Sequence, residues 1–115
     1  MRICVTGQHH EMLDQVLEVF NLVADDDLQL MVPNQTLAGL TAGVAKGMAG
    51  ILEKQSFDWV VVQGDTTSSM AAALAAFYQK VPVAHLEAGL RTYNKQSPFP
   101  EEINRQLTSR LADVH

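Results

Sequence analysis

The sequence predicts an α/β fold, a doubly wound parallel sheet with helices on its faces. Three observations carry that reading. Short β-branched runs alternate with helical patterns along the chain. The run Phe57–Gln63 is apolar on both faces, the pattern of a central strand in a parallel sheet. The run Val81–Leu86 follows after a single alanine-rich helical segment, and a strand, a crossover helix and a strand in that order form a right-handed parallel unit.

The elements follow in order. Arg2–Thr6 is short and β-branched and ends at Gly7, which predicts a buried strand. Met12, Val16, Val19 and Phe20 recur at helical spacing, so residues 11–20 read as a helix. Asp25, Asp26 and Asp27 read as a solvated loop, with a second short strand from Asp27 to Val32 closed by Pro33 and Asn34. Leu37 to Lys54 reads as a long amphipathic helix whose apolar face is Leu37, Leu40, Val44, Met48, Ile51 and Leu52. Gly39, Gly43, Gly47 and Gly50 lie within it, each costing up to about 1 kcal/mol relative to Ala, and close packing against a sheet is the simplest reason for them. Gly64 to Ser69 is the turn out of the Phe57–Gln63 strand, Met70–Lys80 the crossover helix, and 88–100 a loop with two prolines. Glu101 to Asp113 reads as a last helix with Ile103, Leu107 and Leu111 on one face.

The 115 residues suit one compact domain, and 47% hydrophobic content suffices for a core. A net charge of −5 disfavours a nucleic-acid or anionic-membrane surface. Cys4 is the one cysteine, so no intrachain disulfide forms, which suits a cytoplasmic location. The longest apolar run, Met70 to Phe77, is far short of the roughly 20 residues a spanning helix needs. Metal-ligand spacing is absent, since His9 and His10 are adjacent and no Cys-x-x-Cys or His-Glu-x-x-His occurs. No Walker loop, dinucleotide fingerprint or spaced Ser/His/Asp set is present either. The chain ends at Asp113-Val114-His115 with no visible finishing element.

In a doubly wound sheet, ligands bind beyond the carboxyl ends of the strands. Gly64-Asp65-Thr66-Thr67 follows one strand, and Glu87-Ala88-Gly89 follows the next. Neighbouring strands lie about 4.8 Å apart, so Asp65 and Glu87 are expected to look into one crevice. Two carboxylates in one crevice are how a fold keeps an acid and a base near neutral pH. Gly64 and Gly89 allow close backbone approach. Each residue also has a plainer reading. Asp65 is a good helix N-cap, with Thr66 and Thr67 in the first turn. Glu87 pairs with Arg91 in a local ion pair, and His85 is a satisfied core histidine. Glu101 and Glu102 suit the first turn of a helix after Pro100, or one of them reaches the crevice.

The runs "TGQHHEMLDQVLEVF", "VVVQGDTTSSMAAALAAFYQKVPVAHLEAGLRT" and "SPFPEEINRQLTSRLADVH" closely resemble the non-hydrolysing UDP-N-acetylglucosamine 2-epimerases of bacteria, over essentially the whole chain. The Gly-Asp-Thr-Thr, His-x-Glu-Ala-Gly-Leu-Arg and Pro-Glu-Glu-x-Asn-Arg motifs carry the resemblance, and they favour this type over a hydrolysing epimerase. It implies a glycosyltransferase B-type fold of two Rossmann-like halves with the site between them, of which this chain matches part of the N-terminal half. It implies reversible inversion at sugar carbon 2, from UDP-GlcNAc to UDP-ManNAc, by elimination of UDP to a glycal and re-addition, serving surface-polysaccharide precursors. Asp65, Glu87 and Glu101 match the family's acid/base carboxylates. His85, Gly64, Gly89 and Arg91 support them, and no metal or redox cofactor is implied.

The departures are specific. The family's opening strand and Gly-Thr-Arg-Pro-Glu loop have no counterpart here, nor has its C-terminal nucleotide-binding domain. Residues 1–115 are thus expected to form a single incomplete Rossmann-like domain, inactive or nearly so alone, which dimerises or associates with a C-terminal half. The family's activator site uses a Gln-His-Arg-x-Met segment. Here Gln8, His9, His10, Glu11 and Met12 stand there, with His10 for Arg and Gly43 for a second Arg. Neither replaces a bidentate grip on phosphate. The rival reading is a non-catalytic α/β remnant or partner-binding module.

Overall fold

Two parallel strand pairs organise the computed structural model, which describes residues 4–5, 26–27, 35–64, 66–86 and 99–114. The chain divides into two units, Met1–Thr36 and Leu37–His115. In the first, strand β1 (Cys4–Val5) pairs in parallel with β2 (Asp26–Asp27), Cys4 opposite Asp26 and Val5 opposite Asp27. A strand at the start of the chain is thus found. The aspartates expected in a loop instead carry the second strand. A ladder is made by backbone N–H and C=O groups, so acidic side chains do not forbid it. The helix expected over 11–20, and residues 28–32 of the second strand, lie outside the described residues.

In the second unit, helix α1 (Leu37–Lys54) has the expected bounds. It buries Leu40, Val44 and Leu52 and leaves Leu37 exposed. It lies against the crossover helix, and its Leu52 and Met48 join the core that includes Val62 and Val83. A Cβ added at Gly50 meets nothing within 4 Å, so close packing does not explain that glycine.

Strand β3 (Val60–Gln63) and strand β4 (Val83–Leu86) pair in parallel, in the register Val60–Val83, Val61–Ala84, Val62–His85 and Gln63–Leu86. Side chains alternate along a strand, so Val62, Val83 and His85 share the buried face. That face meets the core of Leu52, Val62, Ala73, Ala76 and Val83. Val61, on the opposite face, is 61% exposed. Burial of this strand on both faces is therefore not found at Val61.

The crossover helix α2 (Thr67–Tyr78) starts three residues before the expected Met70. Its buried alanines, Ala71, Ala73, Ala75 and Ala76, let it approach its neighbours closely. It ends with Lys80 at φ 59°, Lys80 N–H bonded to Phe77 O at 3.0 Å and Val81 N–H to Ala76 O at 2.9 Å. That is the Schellman closure with a lysine where glycine is usual.

Helix α3 (Glu101–Leu111) differs most from expectation. Its buried residues are Glu102, Asn104 and Thr108, while Leu107 is exposed. The expected apolar stripe is inward only in part, with Leu111 packed against the core. Hydrogen bonds satisfy the polar residues that are buried: Gln106 Nε2 donates to Glu102 Oε2 at 2.6 Å, and Thr108 Oγ1 to Asn104 O at 2.7 Å. The chain end also differs. Val114 bridges Ala84 in parallel, His85 N–H donates to Val114 O at 2.8 Å, and Val83 N–H donates to Asp113 Oδ2 at 2.9 Å. Residues 113–114 therefore extend the sheet beyond β4. No helix among the described residues is long and apolar enough to cross a membrane.

Candidate active site

The register of β3 and β4 decides where the site chemistry lies. Gln63 and Leu86 are opposite each other, and Gly64 N–H donates to Leu86 O at 3.0 Å, carrying the ladder one step further. Both strands thus finish at the same level, and the sequence there continues into Asp65 on one side and Glu87 on the other. Asp65, Glu87, Gly89 and Arg91 themselves lie outside the described residues, as do Gln8, His9 and Glu11.

Gly64 has φ +79°, a conformation that costs a side-chain-bearing residue about 1–2 kcal/mol. A Cβ there meets nothing within 4 Å, so the requirement is conformational rather than steric. Gly64→Ala is expected to lower stability by about 1–2 kcal/mol, read as a lower urea midpoint; an unchanged midpoint contradicts this.

His85 is 1% exposed, and its Nε2 lies 2.7 Å from Gly64 O. A carbonyl only accepts, so Nε2 carries the proton. The histidine on β4 thereby holds the turn leaving β3. It is both a buried core residue, hydrogen-bonded through Nε2, and part of the site's frame.

Thr66 is the N-cap of α2. Its Oγ1 accepts from Ser69 N–H at 3.0 Å, and Ser69 Oγ donates to Gln63 O at 2.6 Å. The capping role expected of Asp65 belongs to Thr66, with Thr67 the first helical residue. Both residue types cap well, and the position of the first turn decides between them.

Glu101 and Glu102 separate cleanly. Glu102 is 3% exposed and engaged by Gln106, whereas Glu101, one residue earlier in the first turn, is only half-buried. Of the two, Glu101 is the one accessible to a ligand. Two buried side chains not singled out from the sequence join this region: Asn104 Nδ2 donates to Thr67 Oγ1 at 3.1 Å. The available signal was Asn104's place one helical turn after Glu101. Among the described residues no three His, Cys, Asp or Glu side chains are grouped to hold a metal.

Comparison with known proteins places this arrangement. The UDP-N-acetylglucosamine 2-epimerase family model matches residues 1–115. The UDP-N-acetylglucosamine 2-epimerase of Neisseria meningitidis serogroup A is 55% identical over 99% of this chain and 31% of its own length. That of Escherichia coli K12 is 53% identical over 99% of this chain and 30% of its own. The crystal structure of the N. meningitidis enzyme bound to UDP-GlcNAc superposes with a TM-score of 0.92, at 55% identity, over 99% of this chain and 31% of that one. The Methanocaldococcus jannaschii UDP-GlcNAc 2-epimerase matches with a TM-score of 0.79 at 37% identity, over 89% of this chain and 28% of that one. The α/β class with parallel pairing, and its place in a glycosyltransferase B-like fold, stand. The chain spans about 30% of the length of the curated relatives it matches. With a match over its whole length and identities above one half, the chain belongs to the UDP-N-acetylglucosamine 2-epimerase family.

Proposed function

We propose that this chain carries the acid/base groups of a UDP-GlcNAc 2-epimerase, an isomerase acting at sugar carbon 2. A base removes the carbon-2 proton as the bond from carbon 1 to the UDP oxygen breaks, which leaves a glycal and UDP. UDP then adds back to carbon 1, while an acid on the other face returns a proton to carbon 2. Elimination and re-addition move a proton and the UDP group and transfer no hydride, so this route calls for no redox cofactor. Asp65, Glu87 and Glu101 take the acid/base roles, with Gly64, His85, Gly89 and Arg91 shaping the loops around them. The N. meningitidis relative was solved with UDP-GlcNAc bound, which supports a nucleotide-sugar substrate here. The arginine of the family's activator segment is replaced by His10, so activation through Gln8, His9 and Glu11 is weak or lost.

The observation that carries the reading is the common finish of β3 and β4, with Thr66 rather than Asp65 serving as the helix cap. The helix cap is supplied by Thr66, and the sequence carries a carboxylate directly after each of the two paired strands, which suits proton transfer on a sugar. Cytoplasmic location and homodimerisation, or association with a chain supplying the remaining length, belong to the same reading.

The test joins these 115 residues to the remaining length of the N. meningitidis enzyme in place of its matching stretch. The chimera is expected to convert UDP-GlcNAc to UDP-ManNAc, and the 115-residue chain alone to give no detectable conversion. A folded chimera that binds UDP-GlcNAc without converting it contradicts the reading and favours a non-catalytic module.

A further inference from the structure

Glu101 stands on α3, and in sequence Asp65 falls between Gly64, which follows β3, and Thr66, which caps α2. Acid/base work requires groups on separate elements to keep a fixed spacing, and a misplacement of about 1 Å costs on the order of 100-fold in rate. The structure contains a bracket between those two elements. Asn104 is 3% exposed and Thr67 is 8% exposed, and Asn104 Nδ2 donates to Thr67 Oγ1 at 3.1 Å across 37 positions of sequence. Asn104 lies three residues after Glu101, which places the two on one face of the helix, one turn apart. Thr67 is the first residue of α2, two positions after Asp65.

Each end of the bracket is itself held. Asn104 N–H donates to Pro100 O at 3.0 Å, and its carbonyl accepts from Thr108 Oγ1 at 2.7 Å. Thr66 caps the turn before Thr67, and His85 holds Gly64 on its other side. A buried polar pair is a costly way to join two helices unless its geometry matters, since an apolar contact fills the same space without a directional requirement.

We infer that Asn104 and Thr67 are positioning residues, whose buried hydrogen bond sets the distance between the Glu101 turn and the Asp65 turn. This deepens the epimerase reading and rests on it. Neither residue touches the sugar in this account; they act through the elements that carry the two carboxylates.

The experiment uses the active chimera described above. Thr67→Val keeps the shape of the side chain and removes the hydroxyl, and Thr67→Ser keeps the hydroxyl. Asn104→Leu is the partner variant. Measured well below the thermal midpoint, Thr67→Val is expected to lower kcat at least about 10-fold with KM changed less than about threefold; 10–100-fold is the range expected of a displaced catalytic group. The midpoint itself falls, because buried Asn104 Nδ2 loses its acceptor, and Thr67→Ser recovers most of the rate. Asn104→Leu combined with Thr67→Val is expected to cost little more than either alone, as for two ends of one bond. An unchanged kcat in Thr67→Val overturns the inference. So does a kcat loss that tracks the thermal midpoint and is equal in Val and Ser, which marks a merely structural contact. Both outcomes leave the epimerase reading standing. An unsubstituted chimera without activity overturns that reading, and the inference with it.

Discussion

Glu101→Gln lowers carbon-2 chemistry in the chimera by roughly 10²–10⁴-fold, the range for loss of a positioned general acid or base. The substitution keeps the size and hydrogen-bonding capacity of the side chain and removes its ability to exchange a proton near neutrality. Stability should change little, because Glu101 is half-buried in the first turn of α3 and no cap depends on it. Glu102→Gln is the matched control and gives the opposite pattern. Glu102 is buried and accepts from Gln106 Nε2 at 2.6 Å, so its loss costs stability more than turnover. Initial rates and thermal midpoints measured on both variants decide the matter. Equal rate losses in the two, or a larger loss in Glu102→Gln, remove Glu101 from the acid/base set.

His85→Leu is expected to cost both stability and rate. It removes the donor that Gly64 O receives at 2.7 Å inside a nearly closed site. Loss of a buried hydrogen-bond partner costs about 1–3 kcal/mol, seen as a lower denaturation midpoint of the 115-residue chain. Because Gly64 leads into Asp65, the freed turn should also lower kcat in the chimera, by about 10-fold or more on the same positioning argument. His85→Gln offers an amide donor in place of the ring N–H and should recover part of both losses. A leucine variant with wild-type midpoint and wild-type rate contradicts the role given to this histidine.

Local pattern was enough for the elements whose stability is local or apolar. The period of Leu40, Val44 and Leu52 gave α1 its bounds, and the order of strand, alanine-rich helix and strand gave the parallel pair β3–β4. What the pattern misjudged depends on partners far away in sequence. The polar inward face of α3 becomes favourable only when Thr67 meets Asn104, 37 positions apart; read alone, Ile103, Leu107 and Leu111 look like the buried stripe. The pairing of Val114 with Ala84 is equally invisible from its own neighbourhood, as is a strand built on Asp26 and Asp27. The run Phe57–Gln63 reads as buried on both faces, but Val61 remains largely exposed because composition does not say which faces are covered.

The site was legible to a different depth at each residue. Motif resemblance named Asp65, Glu87 and Glu101, while chemistry alone left a cap, a local ion pair and a helix-dipole role as competing explanations. The geometry removes the first by assigning the cap to Thr66. It separates Glu101 from Glu102 by burial, a distinction two adjacent glutamates cannot reveal in sequence. It gives Gly64 a conformational reason and His85 a hydrogen-bonded one. Asn104 sits inside a motif, yet only the tertiary contact shows what it holds.

In the proposed epimerase the strand-end carboxylates Asp65 and Glu87 move the carbon-2 proton. That role is tested most directly by incubating the chimera with UDP-GlcNAc in deuterium oxide and following the carbon-2 proton by NMR. Deuterium incorporation is expected in the unsubstituted chimera, and its loss, by roughly 10²-fold or more, in Asp65→Asn and in Glu87→Gln with folding intact. Incorporation that persists at the parent rate in both variants contradicts that role.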